Sequence, residues 1–319
     1  MVDLVRRLLR LASTRPLRWG FAVVAVSLAA WAVASRWQAV VAAVHRLDVR
    51  WLLAALVVTV LNLGLVGMAW RALLTDLGSR LSLPVAARVF FVGQVGKYLP
   101  GSLWPMVVQA ELARDHGVPR RRTAAATLVL LLLSAASGLV VVLAALPFVP
   151  SVAENGYGWT LLLVVPALAL LHPRLLGPLL DRLIGAIGGE PLERRPTTRG
   201  TALAFGWAVV SWMAAGLQVW LLAVSLGAER GWHTLALAIA GYALAWAVGL
   251  VVVIAPAGAG AREVALAAVL APMLDGGAVV VVVLLSRVLF TVADLAAAAA
   301  GYGLGHRHAA APAPTATEG

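Results

Sequence analysis

Five charged side chains fall within otherwise apolar stretches of this 319-residue sequence: Lys97, Arg262, Glu263, Arg287 and Asp294. A charge at the depth of a bilayer costs roughly 3 kcal/mol even on lenient insertion scales, so each such group calls for a partner or a ligand. The cations suit an anion. A guanidinium grips phosphate or carboxylate through two parallel hydrogen bonds, and the free N–H groups of a helix N-terminus favour the same charge. Glu263 and Asp294 would balance those cations or hold an amine. Bond-making chemistry finds little support. With no Cys, thiolate catalysis, disulfides and Cys-ligated metals are excluded. The six His show no His-x3-His spacing and join no carboxylate cluster. No nucleophile–base pair stands out either, so neither a metal, a cofactor nor an enzymatic reaction is expected.

Two of these regions are helix breakers. The first reads Gly93-Gln94-Val95-Gly96-Lys97-Tyr98-Leu99-Pro100-Gly101-Ser102-Leu103-Trp104. Irregular backbone at membrane depth survives only when buried in protein or lining a wet cavity, because each unpaired amide costs several kcal/mol. Gly96, Pro100 and Gly101 supply the break, and Ser102 can cap a half-helix starting near Leu103. The Gly-x4-Gly-Lys-Ser/Thr spacing of a nucleotide loop is absent, which excludes nucleotide binding. Lys97, the only lysine against 24 arginines, sits at the centre of the break. A ligand or buried partner explains it there; a shallow hairpin would instead let it snorkel to the headgroups.

The second breaker reads Pro256-Ala257-Gly258-Ala259-Gly260-Ala261-Arg262-Glu263. Adjacent helical residues point about 100° apart, so Arg262 and Glu263 need separate partners. Arg287 and Asp294, seven residues apart, share one helix face. Asp294 has Arg287, Arg262 and Lys97 to choose from, and a structural ion pair competes with a substrate role. The expected binding set is Lys97, Tyr98, Ser102, Trp104, Arg262, Glu263, Arg287 and Asp294, with Gly96, Pro100, Gly101, Pro256, Gly258 and Gly260 as breakers.

The elements that must position these groups are membrane helices. The chain is 62% apolar and 12% charged, where soluble domains run near half and a quarter. Mean hydropathy is +0.93. Runs long enough for a ~30 Å bilayer occupy 19–35, 51–70, 123–150, 200–228, 231–261 and 276–305, and a shorter Pro-interrupted run covers 159–172. The arginines before 19–35 resemble a signal-peptide start, but no small-residue cleavage site precedes Arg36, so this run reads as a retained helix. No stretch between runs exceeds the about 28 residues of 173–200, too short for a core of its own, so one membrane domain is expected over 1–306, followed by a disordered tail at 307–319. Glu111 reads as a solvated rim charge, and Asn62 and Gln218 as interhelical glue. Trp19, Trp37, Trp51, Trp70, Trp159 and Trp232 fit an interfacial belt.

Segments 1–18, 71–88, 111–122, 173–199 and the tail hold 18 arginines, whereas 36–50, 149–158 and 229–232 hold four. By the positive-inside rule both termini are cytoplasmic in a multi-pass plasma-membrane protein, and the net charge of +11 serves lipid and topology rather than nucleic acid. The assignment requires 84–110 to enter and leave on the cytoplasmic side, as a re-entrant hairpin. A second hairpin at 234–270 would enter from outside; a full crossing by 233–254 with a surface helix at 262–270 is the other reading. Shifted by about 150 residues, 70–78 falls on 220–227 and Glu111 on Glu263, which suggests repeat units 51–148 and 200–304 of opposite orientation. The expected fold is an all-α polytopic membrane protein with about six full transmembrane helices and two broken hairpins, six to eight membrane segments in all.

Gly93-Gln94-x-Gly96-Lys97-Tyr98-Leu99-Pro100-Gly101-Ser102-x-Trp104, Pro256-x-Gly258-x-Gly260-x-Arg262-Glu263 and the late Arg287 resemble the lysylphosphatidylglycerol synthase transmembrane-domain family, most clearly over 45–305. The resemblance implies a flippase-like activity that moves a lipid headgroup between leaflets, such as an aminoacylated phosphatidylglycerol or a polyprenyl-linked glycan. The aminoacyl-transferase domain of the full synthases has no counterpart in this sequence, so lipid synthesis is not implied. Membrane lipids are the expected partners. Two other readings stay open: a non-catalytic membrane subunit that docks a separate lipid- or glycan-modifying enzyme, and a proton-coupled small-solute carrier dependent on Asp294.

Overall fold

The computed structural model describes residues 34–98, 104–145, 162, 164–186, 192–251 and 260–309. In chain order the helices are α1 (Trp37–Arg46), α2 (Val49–Asp76), α3 (Leu83–Gln94), a single 3-10 turn (Val95–Tyr98), α4 (Trp104–Arg114), α5 (Arg120–Ala145), α6 (Val164–Leu170), α7 (Pro173–Ala186), α8 (Thr198–Ser225), α9 (Trp232–Val251), α10 (Ala261–Leu270) and α11 (Gly276–Ala309). No strand occurs among the described residues. Five helices, α2, α5, α8, α9 and α11, are long and apolar enough to cross a bilayer. They fall on five of the six runs expected from hydropathy. The sixth, 19–35, lies outside the described residues except for its last two, and of 159–172 the residues 159–161 and 163 lie outside them.

Local chemistry sets the helix ends. Asp48 caps α2 by accepting from Arg50 N–H (2.8 Å), and Thr197 caps α8 by accepting from Gly200 N–H (3.1 Å). Asp275 caps α11 through Gly277 N–H (3.0 Å) and Ala278 N–H (2.9 Å). Each satisfies a donor that the first helical turn leaves without an intrahelical partner.

The packing has a reciprocal pattern. α2 lies along α8, α3 packs on α11 and α9 on α5. α3 meets α4 as α9 meets α10, and α4 meets α5 as α10 meets α11. Exchanging α2–α5 with α8–α11 therefore leaves these partnerships unchanged. The two halves differ in length chiefly at two counterparts: α3 has 12 residues whereas α9 has 20 and is itself of spanning length, and α5 has 26 whereas α11 has 34.

The loops sort to two ends. At one, Asp76 accepts from Thr197 N–H and Oγ1–H, both at 2.6 Å. Arg121 and Arg122 pair there with Glu193, and Arg88 lies over the Tyr302 ring. Glu111 sits half-exposed at this rim on Arg120 (2.8 Å). At the other end, Arg46 pairs with Asp275 (2.8 Å), Asp48 N–H donates to Ser225 Oγ (3.3 Å), and Arg230 covers Trp51. For the described loops this is the same grouping that the arginine count makes.

Polar side chains join the long helices within the apolar core. Asn62 Nδ2 donates to Ser211 O (2.5 Å), linking α2 to α8. Ser286 Oγ donates to Gln218 Oε1 (3.0 Å), linking α11 to α8. Trp37 and Trp232 are 61% and 82% exposed, as interfacial residues would be. Trp70 departs from the belt: it is fully buried, stacks near Phe90 (5.6 Å) and donates from Nε1 to Thr127 Oγ1 (3.1 Å). An indole with its one donor satisfied is stable in a core, and position at the end of a hydrophobic run did not reveal that.

Candidate functional site

The centre of the bundle brings the charged residues of both breakers onto α11. Lys97 Nζ lies 2.6 Å from Asp294 Oδ2, and Tyr98 O–H donates to the same oxygen at 2.6 Å. Seven residues earlier on α11, Arg287 Nε lies 3.6 Å from Glu263 Oε1. Seven helical residues rise about 10 Å, so the two ion pairs form successive layers along one face of α11.

The depth of Lys97 follows from helix register. α3 and α11 pack side by side, with Arg88 beside Tyr302 and Lys97 beside Asp294. The first pair lies nine residues from the second along 88–97 and eight along 294–302, so the two segments run antiparallel in step. Lys97 thus sits roughly 13 Å above the arginine-rich end. Its side chain is 32% exposed, and its ammonium is held by a carboxylate that is 2% exposed.

Two glycines permit this placement. A Cβ on Gly96 would come within 2.8 Å of Pro105 N and 2.9 Å of the Trp104 carbonyl carbon, so only glycine lets the 3-10 turn abut the start of α4. Gly260 precedes α10 with φ 87°, in the left-handed region that side chains resist. Its N–H donates to Glu263 Oε2 (2.6 Å), so Glu263 both caps α10 and pairs with Arg287.

Arg262 is held differently. Its Cζ lies 4.6 Å above the Tyr242 ring and 6.0 Å from Phe290. Arg262 and Glu263 therefore take separate partners, as their angular separation requires. Trp104 stands at the start of α4 and is 44% exposed. Pro100, Gly101, Ser102, Pro256 and Gly258 lie outside the described residues, so the expected Ser102 cap does too. Lys97, Tyr98, Arg262, Glu263, Arg287 and Asp294 meet in one cluster, to which the charges of Arg262 and Arg287 also contribute at Lys97.

Tyr242 and Phe290 were not among the residues expected from sequence. Phe290 falls three residues after Arg287 and four before Asp294, on the same helix face, a spacing that could have pointed to it. Tyr242 offers only a polar tip in a charge-free run.

Chemically, the cluster opposes three cations to two carboxylates. It can hold an anion, or exchange an internal ion pair for a ligand's charges. These features define a polytopic all-α membrane protein with a charged cluster where the turn after α3 and the start of α10 meet α11. Residues 18–298 match the family model described as lysylphosphatidylglycerol synthase TM region, and the chain belongs to that family. No curated protein matches the chain.

Proposed function

We propose that this chain carries the headgroup of a phosphate-bearing membrane lipid between the leaflets of the cell membrane while the acyl tails stay in hydrocarbon. The observation behind this reading is the positive balance of the cluster among the described residues, where Lys97, Arg262 and Arg287 stand with Glu263 and Asp294. A half-buried surplus among apolar helices is costly, and an anionic headgroup would cancel it. Lys97, Arg262 and Arg287 supply the donors, with the first-turn amides of α10 beside them. Tyr98 and Trp104 flank the path on the described side of the first breaker. Asp294 and Glu263 would receive an amine where the headgroup carries one. Aminoacylated phosphatidylglycerol and polyprenyl-linked glycolipids belong to this class, and membership of a lipid-associated family supports it.

Segments 84–110 and 234–270 act in this reading as two broken hairpins, and the reciprocal helix partnerships support units 51–148 and 200–304 as an inverted repeat. The arginine-rich end and both termini face the cytoplasm. The protein works as a transporter without a cofactor or a covalent step. Native mass spectrometry of the purified chain tests the reading: wild type should retain a phosphate-bearing lipid that Lys97→Ala and Arg262→Ala lose. Equal retention by all three would refute it.

A further inference from the structure

We infer that Tyr242 is a positioning residue whose ring, together with Phe290, seats Arg262 so that its guanidinium stays charged at membrane depth without a carboxylate partner. Among the described residues, Lys97 is bound to Asp294 (2.6 Å) and Arg287 to Glu263 (3.6 Å), but Arg262 makes no ion pair. Its neighbours are ring faces at 4.6 Å and 6.0 Å.

The seat is rigidly built. Tyr242 on α9 and Phe290 on α11 stack with centroids 5.4 Å apart at 28°. Tyr242 is 5% exposed and lies 6.2 Å from Trp212 on α8, which meets Trp246 edge-on at 5.3 Å. Trp212 Nε1 donates to Ser137 Oγ on α5 at 3.0 Å, which fixes the indole. Four helices thus hold one ring under one guanidinium.

The chemistry of that choice is specific. A carboxylate would neutralise Arg262 and occupy its N–H groups. An aromatic face attracts the cation through its quadrupole, more strongly when water is excluded, and even with the Tyr242 hydroxyl beside one N–H it leaves most of the in-plane donors open. Those donors are what bidentate recognition of an oxyanion uses. The ligand-binding half of this inference rests on the lipid reading above; the seat itself does not.

The test is a double-mutant cycle on the full-length chain in detergent micelles, with dihexanoyl-phosphatidylglycerol as the probe and thermal unfolding as a second readout. Tyr242→Phe keeps the ring and should bind within about twofold of wild type, whereas Tyr242→Leu should bind about tenfold more weakly. In an Arg262→Met background, Tyr242→Leu should weaken binding no further. Unfolding midpoints should be non-additive across the cycle by about 2 °C or more. Wild-type affinity in Tyr242→Leu, an equal loss in both backgrounds, or a Phe variant as weak as Leu would overturn the inference. If wild type binds no probe, the lipid reading falls and the unfolding cycle alone decides: non-additivity upholds the seat and additivity overturns it.

Discussion

The ammonium of Lys97 lies 2.6 Å from the carboxylate of Asp294, joining the turn after α3 to the middle of α11 across 197 residues of sequence. The two partners are unequally buried, with side chains 32% and 2% exposed. That asymmetry decides which loss is worse. Removing one member of a buried pair strands the other and costs about 3–5 kcal/mol, while replacing both is often neutral.

Lys97→Met should therefore be the more damaging change, because among the described residues it leaves a buried carboxylate with Tyr98 as its donor, whereas Asp294→Asn leaves the less buried partner, 32% exposed. The double variant should regain most of the loss. Thermal unfolding of the three variants in detergent measures this, and equal effects of the two single changes would contradict the burial argument.

Gly96→Ala should destabilise the first breaker by about 1–3 kcal/mol, since the added methyl meets the backbone of Trp104 and Pro105 rather than a movable side chain. Gly64→Ala has open space at its Cβ and provides the control. Limited proteolysis between α3 and α4 should report the difference.

Asp275 caps α11 and receives Arg46, whose hydrogen bond, followed by the backbone N–H of Ala278, holds the carboxyl below the ordinary aspartate range. A depressed folded-state value stabilises above the unfolded value of about 3.9 and is lost as pH falls through the folded one. Asp275→Ala should cost about 1 kcal/mol at neutral pH. Unfolding curves of wild type and variant should converge as pH drops below about 4.

Because the chain contains no Cys, single cysteines report its orientation without background. Trp232→Cys, at an 82% exposed position, should react with a membrane-impermeant maleimide in intact cells. Arg194→Cys should react only after permeabilisation. The reverse pattern would invert the assigned topology.

Hydropathy made five spans legible, because a helix that must satisfy its own backbone in lipid writes a long apolar run. Charge made the site legible: a lone Lys97 or Asp294 in such a run has to be explained. Pairing was not legible. Asp294 had three cations within its choice, and only the register of α3 against α11 selects Lys97. The aromatic seat of Arg262 was invisible for a different reason. Tyr242 and Phe290 look like ordinary apolar filling until α9 and α11 bring their rings together. Trp70 shows the same limit, since an indole at the end of a run serves the interface or the core according to whether a partner such as Thr127 faces it.

The central claim is that the half-buried cations Lys97, Arg262 and Arg287 hold a lipid headgroup in transit. Leaflet exchange in proteoliposomes containing fluorescent phosphatidylglycerol, followed by dithionite quenching of the outer leaflet, tests it most directly. Wild-type protein should render nearly all of the label accessible, and Lys97→Ala and Arg262→Ala, each shown to be folded, should slow exchange about tenfold or more. Exchange at the wild-type rate in both variants would contradict the account.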